Sequence, residues 1–202
     1  QISKHRWSVL VCHRRFGKTV CMINHLIRSA LLSKQKNPRY AYISPTFKQS
    51  KSIAWDYMKQ FTNKIPYIKF NETELRVDLP NGARITLLGS ENSDGLRGIY
   101  LDGCVIDEYA NVHSKLFPEI IRPALSDRKG YCVFIGTPQG MNNNFYELYQ
   151  HAQGADDWFN YKAKASDTKI VDEDELVKAK EVMGEKKYLQ EFECDWIANI
   201  EG

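Results

Sequence analysis

The spacing of apolar positions changes along the chain, and each change marks an element. Trp7-Ser-Val-Leu-Val-Cys12 is a largely apolar run between basic stretches and predicts a buried strand. From Lys18 onward Val20, Met22, Ile23, Leu26, Ile27, Ala30 and Leu31 recur at helical spacing, so a helix follows within a few residues. Tyr40–Ser44 predicts a second strand, closed by Pro45. Phe47, Ile53, Tyr57, Met58 and Phe61 predict a second helix running to Pro66. Glu74–Leu79 and Arg84–Leu88 flank Asn81-Gly82, the signature of a hairpin. Ser90 to Gly98 is polar and glycine-rich and predicts a loop.

Leu101–Ile106 and Tyr131–Gly136 predict further strands, separated by a short helical region from Lys115 to Leu125 that Pro118 and Pro123 interrupt. The remainder predicts a helix Phe145–Gln153, a strand Trp158–Ala163, an acidic helix Asp172–Met183 and a last helix around Lys186–Glu193. Strands alternating with helices point to an α/β domain on a mainly parallel sheet. The expected division is a core over 1–140, with a hairpin insertion at about 71–88, and a smaller subdomain over 141–202.

Composition narrows the picture. The chain has 202 residues with 43% hydrophobic and 12% aromatic content, enough for a real core and unlike a disordered, collagenous or coiled-coil chain. No apolar run approaches the ~18 residues of a membrane span, and no charged-then-apolar leader opens the chain. Five scattered cysteines without a C-x-x-C pair fit reduced thiols, not a disulfide frame or a zinc site. The net charge of +3 conceals a gradient. Residues 1–59 carry 12 Lys/Arg against the single acid Asp56, whereas residues 155–202 carry 13 acids against 7 bases.

The chemistry sits at strand ends. Cys12-His13-Arg14-Arg15-Phe16-Gly17-Lys18-Thr19 falls between the first strand and the first helix, where a phosphate loop belongs. Backbone N–H groups there can cradle phosphates, Gly17 allows close approach, Lys18 neutralises phosphate oxygens and Thr19 offers its hydroxyl to Mg²⁺. The usual first glycine is replaced by Cys12. Arg14 is the better candidate to face a γ-phosphate and stabilise transition-state charge. Arg15 receives no assigned role, and either arginine could instead be solvated or paired with a carboxylate.

The strand Cys104-Val-Ile106 ends in Asp107-Glu108, two adjacent carboxylates suited to two tasks. Asp107 would hold Mg²⁺ through water, and Glu108 would polarise the attacking water. Thr137, after the strand that ends at Gly136, could sense the γ-phosphate or simply mark a strand stop. Arg97, in Gly95-Leu96-Arg97-Gly98, could reach a neighbouring subunit as an arginine finger or be solvated. The combination is that of RecA-like P-loop ATPases with a catalytic glutamate, and it favours hydrolysis over mere binding.

These residues resemble the ATPase domain of the large terminase subunit, the DNA-packaging motor of tailed phages and herpesvirus-type capsids. The resemblance is carried by His13–Thr19, Ile43-Ser-Pro-Thr46, Leu96-Arg97-Gly98, Val105–Ala110, Gly136–Gly140, Asn144–Tyr149 and Tyr188–Phe192. It implies that His13, Arg14, Arg15, Phe16, Gly17, Lys18, Thr19 and Thr137 surround ATP, that Thr19 and Asp107 hold Mg²⁺, and that Glu108 is the base. Arg14 and Lys18 would assist catalysis, and Arg97 would act on the next subunit's ATP. Residues 145–202 would form a lid, and Gln1 would stand where family members place an adenine-contacting glutamine.

The resemblance further implies double-stranded DNA, a portal protein on a procapsid, a small terminase subunit and further copies of the chain as partners. The copies would form a ring, expected to be pentameric, from subunits that can be monomeric in isolation, in the host cytoplasm at the portal vertex and outside the mature virion. The family's ribonuclease-H-type nuclease is expected to be absent from these residues. Two other functions share part of the signal: the RecA-like core of a helicase or translocase, and a nucleotide-binding assembly module without turnover.

Overall fold

The computed structural model describes residues 2–197; Gln1, proposed for the adenine contact, and the last five residues lie outside them. In chain order the strands are β1 (Trp7–Cys12), β2 (Arg39–Ser44), β3 (Lys69–Asn71), β4 (Arg76–Asp78), β5 (Arg84–Gly89), β6 (Gly103–Ile106), β7 (Tyr131–Gly136) and β8 (Trp158–Ala163). The helices are α1 (Lys18–Leu32), α2 (Phe47–Gln49), α3 (Trp55–Thr62), α4 (Arg122–Ala124), α5 (Asn144–Gln153), α6 (Ala165–Thr168), α7 (Glu173–Met183) and α8 (Glu185–Phe192). Pairing is parallel between β2 and both β5 and β6, and between β1 and β8, and antiparallel on either side of β4. The chain is therefore the expected α/β fold with mainly parallel strands.

Two compact units divide the chain. The first comprises Gln1–Lys18, Glu108–Ala110 and Val133–Gly202, and the second Thr19–Asp107 and Asn111–Cys132. In the second unit the strand order is β3-β4-β5-β2-β6. Its core is built from the period-3.6 face of α1 (Met22, Ile23, Leu26, Ile27, Ala30) together with Tyr42, Ile43, Met58, Ile85, Leu87 and Val105, all buried. The hairpin is present: Asp78 and Arg84 pair, with Asn81 and Gly82 between them and Gly82 at φ +84°. Cys104 and Cys132 bring their sulfurs to 3.4 Å, and all five cysteines are free thiols.

In the first unit the order is β7-β1-β8. All six residues of β1 are buried, as a central parallel strand requires. Trp158 stacks against Trp7 at 6.0 Å and Phe134 at 5.9 Å, and Trp196 meets Phe145 edge-on at 5.5 Å. Within the stretch expected to form a lid, β8 aligns residue for residue with β1 from Trp7–Trp158 to Cys12–Ala163.

Three local expectations need correction. The helix predicted from Phe47 to Pro66 ends at Thr62 and is interrupted by a π-helical turn over Ser50–Ala54. There the buried Ser50 hydroxyl lies 2.8 Å from the Leu88 carbonyl and 2.9 Å from Ser44 Oγ, drawing the turn towards β2 and β5. Ser90–Leu96 forms 3₁₀ turns meeting at a non-helical Asn92, where a plain loop was predicted. The Lys115–Leu125 region is π-helical over Leu116–Ile121 before the short α4, because Pro118 and Pro123 supply no amide donors. Among the described residues no helix is long and apolar enough to cross a membrane.

Candidate nucleotide site

In the first unit, the turn after β1 is fixed by its own backbone. His13 N–H donates to the Ala163 carbonyl at 3.0 Å, Arg14 N–H to the Glu191 carbonyl at 2.8 Å, and Phe16 N–H to the His13 carbonyl at 3.3 Å. Arg15 and Gly17 both have positive φ, +69° and +86°, so the turn reverses twice within three residues. At Gly17 an added Cβ would meet open space, so the constraint on that residue is conformational rather than steric. Lys18 Nζ donates to the Cys12 and His13 carbonyls, both at 2.9 Å, which places the ammonium over the loop.

His13 is fully buried. Its Nδ1–H donates to the Arg14 carbonyl at 2.7 Å, which leaves Nε2 to accept from the Thr168 hydroxyl at 2.8 Å. Burial pulls its pKa down, the bond to the Arg14 carbonyl partly opposes this, and the nearby Lys18 charge lowers it further. The ring is thus a neutral strut of the loop, packed edge-on against Phe16 at 5.3 Å. Arg14 Nη1 lies 3.9 Å from Glu191 Oε2, and Glu191 also pairs with Lys187 at 2.9 Å.

Thr137 follows β7, whose terminal Gly136 backs onto the Phe145 ring; a Cβ there would sit 3.0 Å from it. Asn143 ties this segment together. Its amide donates to the Gln139 and Gly140 carbonyls, while its Oδ1 caps α5 at Phe145 N and Tyr146 N. Gln190 Nε2, on the buried side of α8, donates to Gln139 Oε1 at 3.1 Å.

In the second unit, Thr19 lies in the first turn of α1 and Asp107 follows β6. Asp107 N–H donates to the Ile43 carbonyl at 2.8 Å, extending the β2–β6 ladder by one bond. The hydroxyl of the fully buried Tyr42 donates to Asp107 Oδ2 at 2.5 Å. Arg97, half-exposed, lies 3.9 Å from Glu119, which Lys115 also approaches at 3.8 Å. A separate cleft of about 350 Å³ borders this loop, lined by Arg39, Tyr40, Arg84, Leu96 and Tyr100.

The covalent chain links the two halves of the candidate set through the Lys18-Thr19 and Asp107-Glu108 peptide bonds. Glu108 itself is exposed and has φ +45°, a left-handed backbone that costs a non-glycine residue on the order of 1–3 kcal/mol. The carboxylates of Asp107 and Glu108 therefore occupy different surroundings although they are neighbours in sequence.

Sequence reasoning missed Tyr42, Thr168 and Glu191. Tyr42 was legible only as one aromatic in a buried strand, and nothing local distinguishes it from Tyr40. Glu191 lies within the Tyr188–Phe192 segment that carried the resemblance, but its contact with Arg14 depends on the tertiary fold.

A model of the family described as "Terminase large subunit, T4likevirus-type, N-terminal" matches residues 11–201. The large terminase subunit of Thermus phage G20c is 40% identical over 60 residues, 30% of this chain and 12% of that protein. The chain thus matches only a small part of the length of its curated relatives. The fold is shared with the large terminase ATPase domain of Thermus phage P74-26, with TM-score 0.80 at 19% identity over 96% of this chain and 89% of that one. It is likewise shared with the large terminase of a thermophilic bacteriophage in complex with ADP, with TM-score 0.81 at 14% identity over 97% of this chain and 49% of that one. With the family model matched across nearly its whole length, the chain belongs to the N-terminal family of T4likevirus-type terminase large subunits.

Proposed function

We propose that this chain is an ATP-hydrolysing motor domain that drives double-stranded DNA into a preformed capsid. The observation that carries the proposal is the division of labour between adjacent carboxylates: Asp107 is anchored by the Tyr42 hydroxyl, while Glu108 is exposed on a left-handed backbone. A carboxylate fixed by a buried donor suits an ion-positioning role, and an exposed neighbour turned out of the strand suits a general base.

In this reading the Arg15 and Gly17 N–H groups and the Lys18 ammonium bind the phosphates. Arg14 adds cationic charge toward the γ-phosphate, with Arg15 and Phe16 bordering the nucleotide and His13 bracing the turn from beneath. Thr19 and Asp107 supply hard oxygen donors that fit Mg²⁺. Mg²⁺, when bound, neutralises phosphate charge. Glu108 orients and deprotonates the attacking water, and Thr137 passes the loss of the γ-phosphate to α5 through the Asn143-bound segment. Arg97 acts on the nucleotide of a neighbouring copy in a ring, expected to be pentameric.

The thermophilic-phage terminase structures solved with ADP and with ATP-γ-S support the choice of an adenine nucleotide. Portal protein, procapsid and small terminase subunit are the partners this role requires, in the cytoplasm of an infected host at the portal vertex. Residues 141–202 act as the lid, and DNA cleavage is assigned to no residue of this chain.

The test compares nucleotide binding with turnover. Lys18→Ala is expected to abolish ATP binding, whereas Glu108→Ala keeps binding and loses hydrolysis, with and without DNA and portal. Near-wild-type turnover in Glu108→Ala overturns the assignment.

A further inference from the structure

Within the first unit, α8 supplies neighbouring residues to two different loops. Gln190 is bonded to Gln139 in the segment that carries Thr137, and Glu191 contacts Arg14 through both its carbonyl and its carboxylate. The two contacts with Arg14 are unlike in strength. The backbone bond is a well-formed 2.8 Å, but the side-chain pair spans 3.9 Å to a guanidinium that is 62% exposed. The Glu191 side chain, by contrast, is only 10% exposed, and Lys187 holds it at 2.9 Å.

A carboxylate this buried is costly to leave unpaired, yet here Arg14 can depart without stranding it because Lys187 stays. The short bond keeps the backbone of the turn in place while the loose pair lets the guanidinium swing. We propose that Glu191 is a positioning residue that holds the Arg14 side chain in reserve and yields it to a γ-phosphate, with Lys187 setting how easily it is released. This rests on the reading of Arg14 as a phosphate-facing residue. It makes Glu191 a competitor of the triphosphate for one cation, so its effect falls on nucleotides that have a γ-phosphate and spares those that lack one.

The experiment is equilibrium titration of the chain with Mg²⁺·ATP-γ-S and with Mg²⁺·ADP, comparing wild type, Glu191→Gln, Lys187→Met and Arg14→Ala. Glu191→Gln removes the competing charge while keeping shape, and should tighten ATP-γ-S relative to ADP by about two- to fivefold, the range expected for a partly exposed pair. Lys187→Met leaves Arg14 as the carboxylate's stronger partner and should shift the same ratio the opposite way. Adding Arg14→Ala to either variant should erase its effect.

An unchanged ratio in both Glu191→Gln and Lys187→Met, with Arg14→Ala lowering it, overturns the reserve and leaves the phosphate-facing reading intact. An unchanged ratio in Arg14→Ala alone overturns that reading and the proposal with it. Loss of both nucleotides in Glu191→Gln would mark a structural role and also overturn the proposal. Should Glu191→Gln not fold, the exposed Lys187→Met decides by the sign of its shift.

Discussion

The hydroxyl of Tyr42 donates to Asp107 Oδ2 at 2.5 Å, joining the middle of β2 to the residue that follows β6. Parallel pairing of β2 with β6 makes this possible, since Tyr42 stands beside Val105 and the ladder continues through Asp107 N–H to the Ile43 carbonyl. The bond fixes the carboxylate's orientation and draws charge from one of its oxygens. Partners of this kind around a metal-binding group are worth roughly 10- to 100-fold in affinity. Tyr42→Phe should therefore raise the Mg²⁺ concentration needed for half-maximal turnover by about tenfold. Metal-free ADP binding should hold steady. An unchanged Mg²⁺ dependence would show that Asp107 keeps its position without the hydroxyl.

Glu108 combines a proposed catalytic role with an unfavourable backbone. At φ +45° glycine is more comfortable than glutamate, so Glu108→Gly should leave stability unchanged or raise it by up to about 1 kcal/mol. Turnover should fall by roughly 10²–10⁴-fold, the usual contribution of a general base. Urea denaturation and single-turnover hydrolysis on the same preparation check both halves. A parallel fall in stability and activity would make the glutamate a structural residue.

Arg97 lies in the Leu96-Arg97-Gly98 segment beside Gly98, which has φ +82°, and its guanidinium is 3.9 Å from Glu119. An exposed pair at that distance is weak. Arg97→Ala should leave the turnover of dilute monomer unaltered. In the assembled motor it should reduce turnover by about a thousandfold or more, the scale of an arginine finger supplied by a partner. Equal losses in both states would rule out action on a neighbouring copy.

Two histidines make stability depend on mild acid. Burial lowers the pKa of His25, with the Arg28 charge adding to the effect, and burial likewise lowers that of His13. Both rings titrate below 6.5 when folded but near 6.5 when unfolded. As pH falls below 6.5 the unfolded chain takes up protons first, so stability is full above that value and declines beneath it. The decline stops once pH passes below the folded pKa values. His25→Phe keeps the edge-on contact with Tyr131, 5.1 Å between ring centres, and removes one of the two groups. The drop in melting temperature between pH 7.5 and 5.5 should shrink by on the order of a few degrees. An identical drop in the variant would assign the acid sensitivity to other groups.

What the sequence determined by itself is whatever neighbours along the chain dictate. The run Trp7–Cys12, the helical spacing after Lys18, the Asn-Gly turn and the acids after Val105-Ile106 each announce an element within a few residues. They place the proposed phosphate loop and the acidic pair at strand ends. Local spacing could not foresee the π-helical turn at Ser50–Ala54, because Ser50 answers to the Leu88 carbonyl and to Ser44. Nor could it show that β8 pairs with β1, that Tyr42 holds Asp107 from 65 residues away, or that Glu191 meets Arg14. Strand register and helix packing decide those meetings, and they depend on the summed burial of many apolar residues. The chain thus names the groups proposed for the chemistry, while tertiary structure chooses the partners that fix Asp107 in place and keep Arg14 loosely paired.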